Sequence, residues 1–396
     1  MGVSSEVGMP DASTCAGPLL TMRPRLRVAV VAPTLDILGG QAVQADRLIR
    51  AWRDDPEVEA RLVPINPRPP SAFGWATRIK YLRTIVTEMT YVPLLARELA
   101  NADLVHVFSA SYTSFLLAPL PALIAARALG RPVVLNYHSG EAPDHLKRSA
   151  IARRFMAQAD SNVVPSQFLV EVLAGFGISA TAIPNTIDRE RFRFRERNPL
   201  RPRLVSTRNL DYPYNVACTL RAFKIVQRHW PAATLTLVGT GADEPVLRRL
   251  SVALGLRHVT FAGRVAPDAI AEYYASNDIY IQSPDIDNMP LSVMEAFASG
   301  LPVVSTRTGG IPVLLNDGER GLLAPPDDHE ALASHVLRLL REPDVACRLA
   351  RNAYAACAAY AWTAVRDQWL HAYRHAASRS AGRQAAPIVT AASFEK

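Results

Sequence analysis

The chain alternates short apolar stretches with helical patterns along most of its length, and this alternation restarts after residue 203. The apolar stretches typical of buried strands lie at 25–32, 60–63, 104–108, 133–137, 161–164 and 181–184, and then at 204–207, 233–238, 258–262, 279–282 and 303–305. Strands that alternate with helices form parallel, doubly wound sheets. The sequence therefore predicts an α/β protein with two Rossmann-like domains that face a central cleft.

The polar, proline-containing stretch RNPLRPR at 197–203 is typical of a domain linker. The aromatic spacing of Trp362, Trp369 and Tyr373 predicts a helix that packs back on the first domain. The expected divisions are a disordered N-terminus (1–23), a first domain (24–196), a second domain (197–360), a C-terminal crossover helix (361–378) and a flexible tail (379–396).

Composition limits the classes of protein and partner. The 396 residues, 49% of them hydrophobic, are enough for two domains. Four cysteines without a CxxC pattern predict reduced thiols and a cytoplasmic protein, and neither a signal peptide nor a transmembrane helix is expected. The net charge of +8 allows an anionic partner. We find no nucleic-acid-binding motif, so phosphate-bearing substrates or an anionic membrane surface are the expected partners.

Residues 74–99 interleave aromatic, aliphatic and basic side chains in a helical pattern. Such a helix is typical of a surface that faces an acceptor or a membrane interface. A buried helix with a solvated basic side has the same pattern, so both interpretations stay open.

Residues 280–312 predict a strand, a loop, a short helix, a second strand and a loop with paired glycines. Asp287 lies just before the predicted helix and Glu295 inside it, and we expect Pro290 in the first turn of that helix. The loop that contains Gly309 and Gly310 leads toward another helix. Two helix N-termini should therefore face one crevice at the carboxyl ends of parallel strands, which suits a diphosphate.

The spacing of the two carboxylates constrains their chemistry. Eight residues at ~1.5 Å rise place Asp287 and Glu295 roughly 12 Å apart if the segment is mostly helical. The carboxylates of a glycosidase lie about 5–9.5 Å apart. The spacing favours two hydroxyl-binding groups at opposite ends of a long ligand. The alternative is a helix cap at Asp287 and a solvated helix residue at Glu295.

Several side chains of the first half follow predicted strands and should lie at this crevice. Gly39 and Gly40 turn the chain from the first strand into a helix, where the backbone can approach a phosphate or form only a tight turn. His138 follows a strand directly and is expected to contact a sugar hydroxyl, unless it is a core or capping histidine. The same position is expected for the 109–111 loop, 139–141 and Ser166, and also for His106 unless it too is a core or capping histidine.

Three features of the second half point to the same crevice. Arg208 follows the first strand of this half at its carboxyl end, where its cation can neutralise phosphate. Gly239 and Gly241 form a Gly-x-Gly turn after the next strand, which is a weak match to a dinucleotide fingerprint. Arg264 ends the third strand and is expected to border a base or a phosphate, unless it is a surface arginine.

DNMPLSVMEAFASGLPVVSTRTGGIP resembles the signature of family 4 retaining glycosyltransferases, in which two glutamates are separated by seven residues. That family has the two-domain GT-B architecture. The resemblance extends over about residues 25–376 and includes Gly39-Gly40, Pro184-Asn185, RNLDYPYNV, LVGTG, FAGRV and GLLAPPDD.

The resemblance implies a role for each matching residue. Glu295 would hold the ribose hydroxyls, Arg208 would bind the diphosphate, and His138 would contact the sugar near the reacting carbon. Asp287 would face the donor sugar, with Arg208 and His138 as its catalytic partners. No cofactor other than the nucleotide-sugar co-substrate and no metal are expected. The implied donor-binding set is Gly39, Gly40, Arg208, Gly239, Gly241, Arg264, Asp287, Asn288, Met289, Pro290, Leu291, Glu295, Gly309 and Gly310.

Two positions depart from the family pattern. Asp287 stands where the family has its first glutamate. Tyr214 aligns with the family's diphosphate-binding lysine, so either another cation replaces it, with Lys224, Arg264 and Arg307 as candidates, or turnover is reduced.

The function that the resemblance implies is transfer of a sugar, with retention, from a UDP- or GDP-sugar to a saccharide or lipid-linked acceptor. It would act in polysaccharide or glycoconjugate synthesis, in the cytoplasm or at the inner face of the cell membrane. The alternatives are a catalytically weak nucleotide-sugar-binding regulatory protein and a GT-B-like epimerase or hydrolase.

Overall fold

The computed structural model describes residues 24–37, 39–68 and 79–385, together with Gly2. The predictions for the remainder of 1–23 and for 386–396 lie outside the described residues. The strands are β1 (Leu26–Ala32), β2 (Val58–Pro64), β3 (Leu104–Ser109), β4 (Val133–Tyr137), β5 (Ser161–Val164), β6 (Thr181–Ala182), β7 (Arg203–Ser206), β8 (Thr234–Val238), β9 (Val259–Gly263), β10 (Ile279–Ile281), β11 (Val303–Thr306) and β12 (Leu322–Ala324).

Helices separate most of these strands. They are α1 (Gly40–Ala51), α2 (Lys80–Ala100), α3 (Tyr112–Leu117), α4 (Pro119–Ala128), α5 (Ala142–Arg148), α6 (Ala150–Gln158), α7 (Gln167–Ala174), α8 (Val216–His229), α9 (Glu244–Ala253), α10 (Ile270–Ser276), α11 (Leu291–Ala298), α12 (Ile311–Leu315), α13 (His329–Arg341), α14 (Pro343–Ala356) and α15 (Trp362–Ala385).

The strands form two six-stranded sheets, and every recorded pairing is parallel. The first has the order β2-β1-β3-β4-β5-β6 and the second β12-β11-β10-β7-β8-β9. Every residue of β3 and β4 is buried, as expected for parallel strands covered by helices on both faces. The prediction of two doubly wound parallel sheets is confirmed.

The sequence prediction extends β6 too far and misses β12. Strand β6 stops at Ala182 rather than at residue 184, where a proline lacks the amide hydrogen that a ladder needs. Strand β12 was not predicted because only three apolar residues separate Gly321 from Pro325. It pairs with β11 and completes the second sheet.

Helix α15 packs back on the first domain, as predicted. Its Trp369 and Tyr373 belong to a core that also contains Val28 and Trp52. Arg366 on this helix forms an ion pair of 2.7 Å with Asp55 beside β2. The helix continues to Ala385, beyond the expected boundary at residue 378, so the first residues of the predicted flexible tail are helical.

The arginine-rich stretch packs against the second domain instead of running free between the domains. Asp278 is fully buried and pairs with Arg195 at 2.6 Å and with Arg201 at 2.8 Å. Burial opposes its charge, but these arginines hold the pKa of Asp278 below its ordinary value. Arg197, 3% exposed, donates hydrogen bonds to the carbonyl oxygens of Tyr274 and Asn277.

Candidate functional site

The loop between β10 and α11 is fixed by hydrogen bonds from the end of the neighbouring strand β11. The hydroxyls of Thr306 and Thr308 both donate to the carbonyl of Pro284, at 2.5 and 3.1 Å. Helix α11 begins at Leu291, so Pro290 is its N-cap. The prediction that Pro290 lies in the first turn of the helix is therefore wrong. Proline fits there because a residue before the helix needs no intrahelical N–H bond. The Asp287–Met289 segment therefore presents its side chains and amides from a fixed loop.

Arg208 and Asp287 contact each other directly. The Nη2 atom of Arg208 lies 2.6 Å from Oδ2 of Asp287, and its Nη1 donates to Oγ of Ser292 at 3.0 Å. Burial opposes the charge, but the Asp287 carboxylate and nearby tyrosines raise the pKa of Arg208 above its ordinary value. Arg208 is therefore a permanent cation at the carboxyl end of β7, where the sequence predicts it. A bound phosphate would share it with Asp287.

Tyr214 stacks on that cation. Its ring centroid lies 4.2 Å from Cζ of Arg208, which is the geometry of a cation–π contact. Arg208 favours the phenolate, but burial and the Asp287 carboxylate dominate and raise the pKa of Tyr214. Tyr214 is therefore a neutral phenol that supports Arg208.

Of the three cations considered as replacements for the lysine, only Arg264 faces the cleft. Its Nη2 donates to the carbonyl of Asp36 in the first domain at 3.0 Å. Arg307 is paired with Asp317 at 2.6 Å. Lys224 lies beside Gly255, which precedes β9 at the amino edge of the sheet, so it is remote from the carboxyl ends of the strands.

The paired glycines have a structural role in this geometry. Gly309 has a φ of +50°, and a Cβ at this position would lie 1.8 Å from the carbonyl oxygen of Asp287. A Cβ on Gly310 would lie 2.5 Å from the carbonyl oxygen of Asn288. The two glycines thus let the β11–α12 turn back directly onto the Asp287–Asn288 backbone.

Gly239 and Gly241 do the same for Arg208. A Cβ on Gly239 would lie 2.2 Å from the carbonyl oxygen of Arg208, and one on Gly241 would lie 2.2 Å from that of Leu210. Their close approach fixes the segment that carries Arg208. The Gly-x-Gly turn therefore supports the predicted site by packing against the backbone of the segment 208–210.

The glycines of the first domain differ from these. Gly39 is the N-cap of α1, and apart from its chain neighbours no heavy atom of the described residues lies within 4 Å of the position of a Cβ there. Gly40 is adjacent to the side chain of Leu291, at 3.7 Å from the position of its Cβ. The start of α1 thus faces the start of α11 across the cleft, with open space beside Gly39.

His138 is placed opposite Asp287, next to the Gly140 turn. A Cβ on Gly140 would lie 2.9 Å from the carbonyl carbon of Asp287. The ring of His138 stacks on Phe108 with centroids 5.2 Å apart, and its Nε2 is buried. Burial lowers the pKa of His138 to about 4, so the imidazole is neutral at physiological pH.

His106 does not lie at the crevice, which agrees with the core-histidine alternative for this position. It is fully buried; its Nδ1 lies 2.9 Å from the hydroxyl of Tyr373 on α15, and its Nε2 lies 3.1 Å from Nδ2 of Asn136. The pattern of a polar residue at a strand does not show which face of the sheet it takes. His106 is a core residue that joins β3 to α15.

The two domains meet around the 287–295 segment. Ser166 at the start of α7 donates a short hydrogen bond to Oδ1 of Asn288. Asn185 donates to the carbonyl of Met289 at 3.0 Å, and Arg47 on α1 pairs with Glu295 at 2.8 Å. The cleft is therefore closed over the motif, and Glu295 is not the solvated helix residue of the alternative interpretation.

Three buried nitrogens at this closed cleft lack hydrogen-bond partners within the part of the chain that the structure describes. They are Nε2 of His138, Nε of Arg208 and Nδ2 of Asn288. Buried polar groups are nearly always satisfied in folded proteins. Unpartnered polar atoms of this kind are available to bind a polar ligand.

Arg47 and Tyr274 belong to this site but were not predicted. Arg47 lies seven residues after Gly40, two helical turns along the same face of α1, and that spacing is the signal that would have placed it near the cleft. Tyr274 on α10 is fully buried and donates to Glu295 at 3.0 Å. Nothing in its sequence context distinguishes it from a core tyrosine.

The fold is that of GT-B proteins. Over 88% of this chain and 99% of the other, it resembles the Anabaena protein HepE in complex with UDP and glucose, with a TM-score of 0.68 and 18% identity. Sucrose-phosphate synthase from Thermosynechococcus elongatus gives a TM-score of 0.70 at 20% identity, over 88% of this chain and 98% of the other.

Two family models match consecutive parts of the chain, one for each sheet. The model described as Glycosyltransferase Family 4 matches residues 38–191, and the model described as Glycosyl transferases group 1 matches residues 201–342. The chain belongs to this glycosyltransferase family.

Curated relatives are similar over about two thirds of the chain. A sulfoquinovosyl transferase of Arabidopsis thaliana is 26% identical over 72% of this chain and 59% of its own length. A GDP-mannose-dependent phosphatidylinositol monomannoside mannosyltransferase of Mycolicibacterium smegmatis is 28% identical over 65% of this chain and 73% of its own length. A D-inositol 3-phosphate glycosyltransferase of Saccharomonospora viridis is 28% identical over 65% of each.

Proposed function

We propose that the protein transfers a sugar, with retained anomeric configuration, from a UDP- or GDP-sugar to a saccharide or lipid-linked acceptor. The observation that carries this proposal is the closed cleft, where the permanent cation Arg208 meets Asp287 opposite the neutral His138. Membership of the family supports the reaction type. The activities for which the similar proteins are named support a nucleotide-sugar donor and a lipid or saccharide acceptor.

The donor would lie along the carboxyl ends of the strands of the second sheet. Glu295 would accept hydrogen bonds from the ribose, Arg208 would bind the diphosphate together with the amides of Met289 and Leu291, and Asp287 would face the sugar. Arg264 would border the base, and the open space beside Gly39 would receive the sugar phosphate. The buried Nε2 of His138 would bind a sugar hydroxyl, since it lacks a partner among the described residues.

In the proposed reaction, the bond between the anomeric carbon and the diphosphate oxygen breaks and a bond to the acceptor oxygen forms. Negative charge develops on the departing diphosphate. Arg208 and the amides near the start of α11 would stabilise that charge, and the closed cleft would exclude water that could hydrolyse the donor. We propose that no metal ion is obligatory, because a permanent cation and fixed amides can act in this role.

A second candidate function is nucleotide-sugar binding without efficient turnover. Tyr214 supports it, because a phenol stands where the family has a cation and Arg208 already pairs with Asp287. The two functions differ in one observable: a binding protein is stabilised by a nucleotide sugar but releases no nucleoside diphosphate. An epimerase or hydrolase, in contrast, would consume the donor in a control without acceptor.

A thermal-shift panel of UDP- and GDP-sugars tests the donor site. A ligand that binds the folded state raises the melting temperature by mass action. We expect one base to give the larger shift and Arg208→Ala to remove it. The matched control is Arg307→Ala, whose side chain lies outside the cleft. If no nucleotide sugar stabilises the wild-type protein, the proposed donor site is wrong.

We further propose that the protein acts in the cytoplasm and docks peripherally on an anionic membrane through α2. Its outer face exposes Ile85, Met89 and Val92 by 55%, 71% and 51%, at the spacing of one helical face. Exposed apolar side chains on a basic helix bind anionic bilayer interfaces. None of the helices in the described parts of the chain is both long enough and apolar enough to cross a membrane.

A further inference from the structure

Arg47 of the first domain reaches a carboxylate of the second. Its Nη2 lies 2.8 Å from Oε1 of Glu295, and its Nη1 donates to the carbonyl of Thr186 at 3.0 Å. Both side chains of the ion pair are about nine-tenths buried, with 12% and 11% exposed. Arg47 therefore connects three parts of the protein: α1, the segment after β6 that contains Thr186, and α11.

The second oxygen of Glu295 is held from within its own domain. The hydroxyl of Tyr274 donates to Oε2 at 3.0 Å, and Oγ1 of Thr207 lies 2.5 Å from the same hydroxyl. An ionised carboxylate has about four acceptor positions on its two oxygens. Arg47 and Tyr274 occupy one on each oxygen. The number that remains matches the two hydroxyls of a ribose.

The position of Arg47 is itself fixed. Gln44, one turn earlier on α1, accepts from the amide of Thr186 at 3.0 Å and donates to its carbonyl at 2.9 Å. The same carbonyl accepts from Arg47. Hydrogen bonds thus join helix α1 to the segment after β6, so the guanidinium of Arg47 is held in place before any ligand binds. Groups held in their bound geometry bind a ligand with less loss of conformational freedom.

We infer that Arg47 is a positioning residue for the donor's ribose, which acts by orienting the Glu295 carboxylate from the opposite domain. This inference rests on the proposed donor site, and it adds a consequence. The ribose site is complete only when the two domains are closed, because one of the two groups that orient the Glu295 carboxylate, Arg47, comes from α1 of the first domain. Arg47 would then couple nucleotide binding to closure without contacting the nucleotide.

The test compares ribose and deoxyribose nucleotides on matched variants. Binding of UDP, GDP and their 2′-deoxy forms is measured by calorimetry for the wild type, Arg47→Gln, Arg47→Lys and Arg50→Gln. Arg50 is the control, because it lies on the same helix but is exposed and pairs with Asp46. A hydrogen bond to a charged group contributes roughly tenfold in affinity, so the wild type should prefer the ribose form by about that factor.

We expect Arg47→Gln to reduce that preference to about twofold or less, Arg47→Lys to restore part of it, and Arg50→Gln to keep it. A fall in affinity for both forms with an unchanged ratio would overturn the inference, because it would show only structural damage. A wild-type protein that binds UDP or GDP without a ribose preference would overturn it too. Failure of every nucleotide to bind the wild type would instead overturn the proposed donor site. Circular dichroism of Arg47→Lys confirms that a folded protein is compared.

Discussion

At the scale of single residues, the site depends on how Arg208 is held. It is mostly buried between the carboxylate of Asp287 and the ring of Tyr214. A buried cation needs such partners because the loss of hydration is costly. Tyr214 therefore supports the cation through its aromatic ring and adds no charge of its own.

This arrangement predicts different outcomes for two substitutions of Tyr214. Tyr214→Phe keeps the stacked ring, so nucleotide affinity and the free energy of unfolding should stay close to wild type. Tyr214→Ala removes it and should lower the free energy of unfolding by about 1–2 kcal/mol, with a parallel loss of affinity. Urea unfolding and calorimetry measure both. Equal effects of Phe and Ala would show that the hydroxyl, not the ring, supports Arg208.

At the scale of elements, the β11–α12 turn is packed too closely to admit a side chain. Gly309→Ala would place a Cβ 1.8 Å from the carbonyl oxygen of Asp287, and it would also strain a φ of +50°. The strain alone costs about 1–2 kcal/mol. The clash should displace the Asp287 loop, so we expect at least a tenfold loss of nucleotide affinity.

Gly318→Ala is the matched control for this turn. Gly318 has a φ of +80°, but apart from its chain neighbours no heavy atom in the described part of the chain lies within 4 Å of the position of its Cβ. It should lose similar stability through backbone strain and keep nucleotide affinity. If both variants lose affinity equally, strain rather than the contact with Asp287 is responsible.

The docking of α15 should depend on pH through His106. Burial lowers its pKa to about 3, whereas an unfolded histidine has an ordinary value near 6.5. Between these values the unfolded state binds a proton that the folded state does not, so stability falls as the pH falls from 6.5 toward 3. At pH 5 this one group should lower the free energy of unfolding by about 2 kcal/mol.

Urea unfolding at pH 7 and pH 5 measures that dependence. His106→Gln should be less stable than wild type at pH 7, because the bonds to Tyr373 and Asn136 are perturbed. Its loss between pH 7 and pH 5 should be smaller than that of wild type by about 2 kcal/mol. An unchanged loss would mean that His106 does not titrate on unfolding in this range.

The elements were largely predictable from sequence because their signals are local. Apolar runs bounded by turn residues located the buried strands, and the helix stop at Gly300 located the end of α11 within two residues. Strand β12 escaped prediction because three residues carry no periodicity, and its pairing with β11 is a tertiary effect. Pro290 was placed one position too far into its helix, because proline is compatible both with the residue before a helix and with the first turn.

At the scale of the whole molecule, the site could be predicted only in part. Asp287, Arg208 and His138 all follow strands, and the parallel order of each sheet brings strand ends to one edge. What the sequence could not show is which residues meet across the cleft. The contact between Arg47 and Glu295 joins helices from different domains. The contact between Arg208 and Asp287 depends on the conformations of the two loops that carry them.

The proposed membrane face belongs to the same scale. We expect the wild-type protein to float with vesicles that contain phosphatidylglycerol but not with phosphatidylcholine vesicles, because α2 exposes apolar side chains and the chain has a net charge of +8. Met89→Asp should abolish flotation. Val246→Asp is the control, since Val246 is 54% exposed on α9 of the other domain. A protein that stays soluble with anionic vesicles at low salt contradicts the proposed docking.

The central claim, that the closed cleft transfers a sugar, is tested most directly by the release of nucleoside diphosphate. With a nucleotide sugar that stabilises the protein, release should require an added saccharide or lipid-linked acceptor. Arg208→Ala and Glu295→Ala should each lower the rate by at least about a hundredfold, since both groups would act on the bound donor. Release that proceeds without acceptor, or that neither substitution slows, would contradict the claim.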